Sequence, residues 1–179
     1  MRHQTFVLVG LSIAIMATGV VSFYLLSSSG QKELRLTAME FGFNNYSGGP
    51  MLRVKTGENI IIFLENEGGV VHEFIVVKDL DAFLNDLRTA VKASGSGLTS
   101  DEVDKVLPVE MMHHKHAAAM FLMEGQLLHH VMVDPQQTVR FRLVINRPGT
   151  YFYVCPMFAA TFPETHADRG MFGVLVVEP

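Results

Sequence analysis

The residues with the most evident chemistry lie near the C-terminus, where the single cysteine of the chain, Cys155, is followed by His166 and Met171. A thiolate, an imidazole and a thioether together favour copper, because soft sulfur ligands stabilise Cu(I) and imidazole suits both oxidation states. Two histidines and one cysteine in a plane, with a long axial methionine, are the ligands of a blue-copper electron-transfer site. The C-terminal segment therefore predicts three of the four ligands of such a site.

His72 is the candidate for the missing imidazole. It lies in the stretch VVHEFIVV, residues 70–77, whose short apolar run is typical of a β-strand. Side chains alternate between the two faces of a strand, so His72, Phe74 and Val76 share one face. We expect that face to point to the interior and to bring His72 to the C-terminal residues.

Eight stretches of the chain predict short β-strands, because they alternate polar and apolar residues or form short apolar runs between turn residues. The predicted strands cover residues 32–40, 51–55, 59–65, 70–77, 127–133, 138–145, 150–155 and 171–178. About eight short strands separated by turns are typical of a β-sandwich or a barrel.

A mostly helical insertion, residues 78–126, is predicted to interrupt the strands. In its first helix, capped by Asp79, apolar residues recur at helical spacing. The sequence TSDE at residues 99–102 has the spacing of a capping box and predicts a second helix that ends near Pro108. A third helical piece is expected in the Met- and His-rich segment that runs to Glu124. The apolar positions of the first helix are Leu80, Phe83, Leu84, Leu87 and Val91.

The N-terminal segment predicts a membrane anchor. Residues 6–26 contain no charged side chain, and a helix needs about 20 apolar residues to cross a bilayer. A cleaved signal peptide has a shorter apolar region of about 7–15 residues, although Ser27, Ser28 and Ser29 offer a weak cleavage site. Arg2 favours an N-terminus inside the cell. We therefore expect residues 1–31 to be an uncleaved anchor and linker, and residues 32–179 to be an exported domain.

Composition argues against several other classes of protein. The net charge is −4 and there is no basic block, so nucleic acid is not an expected partner. A single cysteine excludes an intrachain disulfide, a C-x-x-C-H haem site and a two-cysteine CuA centre. The eight histidines and eleven methionines are consistent with transition-metal binding.

The chain resembles the cupredoxins over residues 32–77 and 127–179. The resemblance rests on the strand VVHEF, the strand GTYFYVC, the following His166 and Met171, and the closing strand GMFGVLVVEP. With its apolar N-terminus, helical insertion and long loop, the chain is most similar to the membrane-bound cupredoxins associated with cytochrome c oxidase in acidophilic iron-oxidising bacteria.

The resemblance implies both a fold and a function. The expected fold is an all-β, cupredoxin-like Greek-key β-sandwich with a helical insertion and an N-terminal transmembrane helix. One copper ion per chain would be held by His72, Cys155, His166 and Met171. The protein would be a one-electron carrier of the respiratory chain and not an enzyme, without a small-molecule substrate. Its partners would be a c-type cytochrome or cytochrome c oxidase, and it would face the periplasm from the inner membrane.

Two features depart from the family pattern. Ten residues separate Cys155 from His166, a longer loop than is usual, and Met157 within it is an alternative ligand to His166. The apolar residues of this loop predict a cap that excludes water from the metal, a docking surface for a partner, or both. The residue after His72 is Glu73, where the family often has an amide or hydroxyl residue that hydrogen-bonds near the thiolate.

The Met- and His-rich segment, residues 111–123, supports an alternative function as a periplasmic copper chaperone or copper-resistance protein. Met112, His116 and Met120 would share one face of a helix, but such a stripe is also ordinary packing, which is the interpretation we favour. His129 and His130 are neighbours in a predicted strand, so both cannot reach one metal from a regular strand. Single-residue alternatives also exist: Cys155 as an inert buried thiol, His72 as a core histidine and Met171 as core packing.

Overall fold

Ten strands and two helices make up the part of the chain that the computed structural model describes, residues 31–94, 107–159 and 163–179. The strands are β1 Lys32–Ala38, β2 Leu52–Lys55, β3 Ile60–Asn66, β4 His72–Val77, β5 Met120–Met123, β6 Gln126–Leu128, β7 His130–Val133, β8 Thr138–Val144, β9 Gly149–Val154 and β10 Phe172–Glu178. The helices are α1 Leu80–Ser94 and α2 Leu107–His116.

The strands form two five-stranded sheets. The first has the order β1-β3-β8-β5-β6 and the second the order β2-β10-β9-β4-β7. Neighbouring strands are antiparallel except for β1 with β3 and β2 with β10, which run parallel. Residues 32–179 form one unit. The predicted β-sandwich is confirmed for this part of the chain.

The main core lies between the two sheets. Phe74 of β4 stacks on Tyr153 of β9 with ring centroids 5.6 Å apart, and Phe121 and Phe141 of the first sheet approach Phe74 from the opposite side. Aromatic side chains bury large apolar areas and dominate the energetics of such a core. Phe74 is only two residues from His72, so the packing that fixes β4 also fixes the start of that strand.

A second apolar cluster lies on the outer face of the second sheet. Ile75 and Val77 of β4 point away from the main core and pack with Phe83 and Leu87 of α1. The Asp79 carboxylate accepts a hydrogen bond from the backbone N–H of Ala82 at 2.9 Å, as the predicted cap requires. Strand β4 is therefore buried on both faces, which explains why all six of its residues are buried.

The insertion departs from the prediction in its second half. Helix α2 ends at His116, and residues 120–123, expected to be helical, form strand β5. Strand β5 pairs with β8 and β6 in the first sheet, so pairing within the sheet overrides the helical preference of Met and Leu. The predicted strand 127–133 is two strands, β6 and β7, which belong to different sheets. The change of sheet occurs at His129.

Some predictions fall outside the described residues. These are the anchor at residues 6–26 and the capping box at residues 99–102. Among the described residues, no helix has the length and apolar character needed to cross a membrane.

Candidate metal centre

The predicted ligands meet at one end of the second sheet, where three neighbouring strands start or stop. His72 is the first residue of β4, Cys155 follows the last residue of β9, and Met171 precedes the first residue of β10. Strand β9 lies between β10 and β4 in the sheet. Distant parts of the sequence therefore contribute neighbouring side chains because β9 is antiparallel to both of its neighbours.

Three candidate donor atoms converge. The Cys155 Sγ atom lies 3.7 Å from His72 Nδ1 and 3.5 Å from His166 Nδ1, and the two Nδ1 atoms are 3.3 Å apart. His72 and Cys155 are fully buried and His166 is only 6% exposed. The structure thus brings together the two histidines and the cysteine that the sequence singles out.

This triangle has the size that a transition metal needs. A point equidistant from the three atoms lies about 2.0 Å from each, close to the length of metal–nitrogen bonds and slightly shorter than metal–sulfur bonds in proteins. Two imidazoles and one thiolate are the in-plane donor set of a type 1 copper site, which a methionine completes. The His72, Cys155 and His166 group, with Met171, fits a type 1 copper site. The structure brings His166, for which Met157 was the alternative, into this group.

The turn before β4 positions the His72 ring. The Asn66 side chain donates hydrogen bonds to the carbonyls of Val70 and Val133 and accepts one from the N–H of Gly68. A Cβ at Gly68 would lie 2.9 Å from His72 Nε2, so only glycine allows this approach without a shift. The turn therefore holds the ring with Nδ1 toward Cys155.

The Cys155 sulfur accepts a hydrogen bond from the backbone. The N–H of Glu73 donates to Cys155 Sγ at 3.4 Å, so the family's polar side chain is not needed for this contact. The Glu73 side chain points to the opposite face of β4, as alternation along a strand requires. A hydrogen bond to a metal-binding sulfur stabilises its charged form and adjusts the electronic properties of the site.

Backbone hydrogen bonds close the long loop between Cys155 and His166. The His166 N–H donates to the Met157 carbonyl at 2.8 Å, and the Met171 N–H donates to the His166 carbonyl at 2.9 Å. The Cys155 N–H donates in turn to the Met171 carbonyl at 3.0 Å. Met171 is fully buried in the main core together with Cys155 and Met157. The extra residues therefore leave His166 and Met171 fixed relative to Cys155.

The apolar residues of the loop form a cap. Met157, Phe158 and Ala159 are each at most 6% exposed, and Phe158 packs with Ala167 and helix α1 in the second apolar cluster. Of the two expectations for this loop, Met157, Phe158 and Ala159 follow the water-excluding cap, because buried side chains do not offer a surface, whereas Pro163 is exposed. Residues 160–162, which include the predicted apolar Phe162, lie outside the described part.

Helix α1 also contacts the loop through an ion pair. The Arg88 guanidinium donates to the Asp168 carboxylate at 2.5 Å. The other oxygen of Asp168 accepts hydrogen bonds from the N–H and the hydroxyl of Thr165. Partial burial raises the pKa of Asp168, but the hydrogen bonds from Arg88 and Thr165 outweigh it and hold the pKa below the usual value. The insertion thereby supports the segment that carries His166.

The His166 ring does not present the exposed edge that an electron-transfer route through this residue suggests. It is only 6% exposed, and the half-buried ring of Phe41 meets it edge-on with centroids 5.5 Å apart. The Arg169 guanidinium lies over the Phe41 ring, 4.6 Å from the ring centroid. Phe41 had no signal in the sequence, because it lies between predicted strands and nothing distinguishes it from the nearby Phe43 and Tyr46.

Burial keeps the histidines of the centre neutral. It lowers the pKa of His72 to about 4, with a further lowering from the neighbouring His166. Burial also lowers the pKa of His166, where Glu40 acts in the opposite direction. Neutral imidazole is the form that binds metal. Both imidazoles can therefore bind a metal at pH values where an exposed histidine would be partly protonated.

The Met- and His-rich segment does not form the single stripe considered for it. Met120 lies in β5 and not in a helix with Met112 and His116, and His116 Nε2 is 2.9 Å from the Asp86 carboxylate. The structure instead gathers His113 of α2 with Glu73 and His130. Sequence reasoning missed this group, although Glu73 is the one charged residue of β4.

Comparisons with known proteins support the fold. No protein-family model and no curated protein matches the chain. Auracyanin B aligns with a TM-score of 0.51 and 21% sequence identity, and the alignment covers 84% of this chain and 90% of the auracyanin B chain. Auracyanin A, a "blue" copper protein from the green thermophilic photosynthetic bacterium Chloroflexus aurantiacus, aligns with a TM-score of 0.50 and 19% identity, covering 83% of this chain and 99% of its own. The likeness shows the fold. The cupredoxin-like sandwich expected from the sequence is thus confirmed for the described residues.

Proposed function

We propose that the protein is a mononuclear type 1 copper protein that transfers single electrons. The observation that carries this proposal is the buried triangle of His72 Nδ1, Cys155 Sγ and His166 Nδ1, with sides of 3.3 to 3.7 Å. Auracyanin A, which shares the fold, is a "blue" copper protein. Bound copper would supply the Cu(II)/Cu(I) couple, with Met171 as the axial thioether.

The protein residues keep the donors in place. His72 is held by the Asn66 and Gly68 turn, and the loop that carries His166 is closed by backbone hydrogen bonds to Met157 and Met171. Donors that are fixed in this way move little when the charge at the centre changes, which keeps the reorganisation cost of electron transfer low. Burial of the three donors limits the access of water to the centre, which suits an electron carrier.

Electrons would leave the centre through His166 and Phe41. The His166 ring is covered, but the half-buried Phe41 ring contacts it edge-on and extends the route toward the surface. A second route follows the covalent chain at Cys155, which continues into β9 and through the Glu73 N–H into β4. Both routes begin at atoms of the donor triangle.

We further propose a place in the respiratory chain at the inner membrane. The sequence resemblance supports a c-type cytochrome or a terminal cytochrome c oxidase as partner, and the uncharged residues 6–26 support a single-pass anchor with the copper domain in the periplasm. A tether would raise the effective concentration of the domain near membrane-bound partners.

Absorption and EPR spectra of the full-length chain loaded with one equivalent of copper test the proposal. We expect an intense thiolate-to-copper band that disappears on reduction, and we expect Cys155→Ser to lose it. Met111→Leu is the matched control, because Met111 is exposed in the Met- and His-rich segment and its loss should leave the band and the stoichiometry unchanged. A wild-type protein without the band, or a band that survives Cys155→Ser, would contradict the proposal.

A further inference from the structure

A second group of candidate metal ligands lies on the outer face of the second sheet. Glu73 of β4, His113 of α2 and His130 of β7 offer one donor atom each, all within 4.8 Å of one another. Glu73 Oε1 lies 3.4 Å from His113 Nδ1 and 3.7 Å from His130 Nδ1. Two ligands bound at about 2.1 Å to one tetrahedral ion are about 3.4 Å apart, so these separations suit a shared metal.

The fold places the three side chains on the face of the second sheet opposite to His72. In the β4–β7 pairing, Ile75 lies opposite His130 and Glu73 lies opposite Met132, so Glu73 and His130 are diagonal neighbours on one face. That face is turned away from His72. Helix α2 adds His113, and the chain after α2 is held to β4 by the Ala118 N–H, which donates to the Val76 carbonyl at 2.8 Å.

The surroundings of the His113 ring indicate that a ligand is missing. It is only 2% exposed, and neither of its ring nitrogens has a hydrogen-bond partner among the described residues. Buried polar atoms are nearly always hydrogen-bonded, and leaving one unsatisfied costs about 1–3 kcal/mol. The His130 ring lies close by, with ring centroids 4.9 Å apart, and its Nδ1 atom also lacks a hydrogen bond within the described part of the chain.

The charge and protonation of the group favour a cation. Glu73 is 2% exposed, so its carboxylate would give a cation a strong and poorly screened negative partner. Burial lowers the pKa of His113 to about 3, helped by His130 and His114, and burial lowers the pKa of His130 as well. Both rings are thus neutral near pH 7, in the form that binds metal. Glu110, 42% exposed at its side chain and 3.9 Å from His130 Nε2, adds negative charge at the solvent side.

We propose that Glu73, His113 and His130 bind a divalent first-row transition-metal ion, Zn²⁺ being the ion whose preferences they meet. Two imidazoles and one carboxylate are a known zinc ligand set that leaves a fourth position open. The group contains no sulfur, so it differs in softness from the His72, Cys155 and His166 centre, which favours copper. One chain would then carry two different metals on opposite faces of strand β4.

Counting the Zn²⁺ bound by the full-length chain, by competition with a chromophoric chelator, tests this site. The Cys155→Ala background removes the thiolate of the first centre, so the result does not depend on the copper proposal. In this background we expect one tightly bound Zn²⁺ per chain. Adding His113→Gln should weaken its binding at least about tenfold.

The matched control is His114→Gln in the same background. His114 is the next residue of α2, but its ring faces His129, with centroids 3.9 Å apart, and it is not part of the group. Its substitution should leave Zn²⁺ affinity within about twofold of the background protein, since no ligand is removed. Circular dichroism verifies that each variant is folded.

Two results would overturn the site: a Cys155→Ala chain that binds no Zn²⁺, or an affinity unchanged by His113→Gln. If His113→Gln unfolds the chain, X-ray absorption of Zn²⁺ on the Cys155→Ala protein decides instead. Two imidazoles and a carboxylate support the proposal, and any other ligand set overturns it. Neither failure bears on the copper band of the wild-type protein, so the two proposals can fail separately.

Discussion

At the scale of single residues, the position of His72 depends on a neighbour that has no side chain. Gly68 approaches the ring so closely that a Cβ would lie 2.9 Å from His72 Nε2 and 3.1 Å from Asn66 Oδ1. Atoms at such distances must move, and an overpacked site loses stability. The absence of a side chain at Gly68 is therefore part of what positions the His72 ring.

Gly68→Ala is expected to shift the His72 ring and to destabilise the protein by about 1–3 kcal/mol. The energy of the thiolate-to-copper band should change too, because one in-plane donor moves. Gly69→Ala is the matched control: its Cβ would meet Glu40 Oε1 at an ordinary 3.5 Å, and the change in stability should stay within about 0.5 kcal/mol. Urea denaturation and absorption spectra measure both effects, and equal behaviour of the two variants would refute the steric role of Gly68.

At this scale the sequence indicates donors better than it indicates their surroundings. Cys155, His166 and Met171 stand close together in the chain, and the alternation of β4 assigns His72 to the inner face, so these residues could be proposed from their types and spacing. The hydrogen bond from the Glu73 N–H to the Cys155 sulfur could not be predicted in the same way. Almost every residue has a backbone N–H, and only the pairing of the strands decides which one faces the sulfur.

At the scale of elements, strand β4 and the insertion act together. The strand directs His72 to one sheet face and Glu73 to the other, and both faces are covered. Helix α1 covers the outer face and also contacts the ligand loop, through the packing of Phe158 and the ion pair of Arg88 with Asp168. The insertion therefore contributes to the metal centre without supplying a ligand to it.

Arg88→Ala is expected to speed copper release, because it removes the link between α1 and the segment that carries His166. The loss of stability should be below about 1 kcal/mol, since the pair is partly exposed. Lys115→Ala is the matched control, because Lys115 pairs with Asp86 and links only α1 to α2. Copper transfer to an excess of chelator measures the rates, and the same rate in both variants would contradict a supporting role for α1.

The elements that the sequence mispredicts lie in the second half of the insertion and directly after it. Residues 120–123, MFLM, do not alternate polar and apolar residues, and it is pairing with both β6 and β8 that makes them a strand. The stretch 127–133 has the composition of one strand, but the chain changes sheet at His129. Strands with clear alternation or β-branched runs, such as Thr138–Val144, lie within one or two residues of their predicted limits.

For the whole molecule, several buried histidines determine how stability depends on pH. An unfolded chain binds a proton at each histidine near pH 6.5, whereas in the folded metal-free protein burial lowers the pKa of His72 to about 4 and that of His113 to about 3. At pH values between the pKa of a histidine in the folded protein and that in the unfolded chain, the unfolded state binds more protons than the folded state. The free energy of unfolding therefore falls as the pH is lowered. Hydrogen bonds from Lys115 and His116 lower the pKa of the Asp86 carboxyl, and at Asp168 partial burial is outweighed by the hydrogen bonds from Arg88 and Thr165, which lower the pKa of that carboxyl. Both carboxyls therefore take up protons at a lower pH than a free carboxyl does.

The metal-free protein is therefore expected to lose stability steadily from about pH 6.5 down to about pH 4. His72 alone would contribute a loss of about 3 kcal/mol over that range. Urea denaturation at several pH values measures the slope, and His113→Gln should reduce it because one buried histidine is removed. A free energy of unfolding that stays constant or rises on acidification would contradict this account.

The closed loop also has a kinetic consequence. With Met157 to Ala159 buried and the His166 and Met171 backbones hydrogen-bonded, these residues must move apart locally before an ion can pass between them to the donors. Local opening has its own equilibrium and rate, which differ from those of global unfolding. Metal uptake should consequently reach a limiting rate as the metal concentration rises, and that limit would report the opening of the loop and not the encounter with the ion.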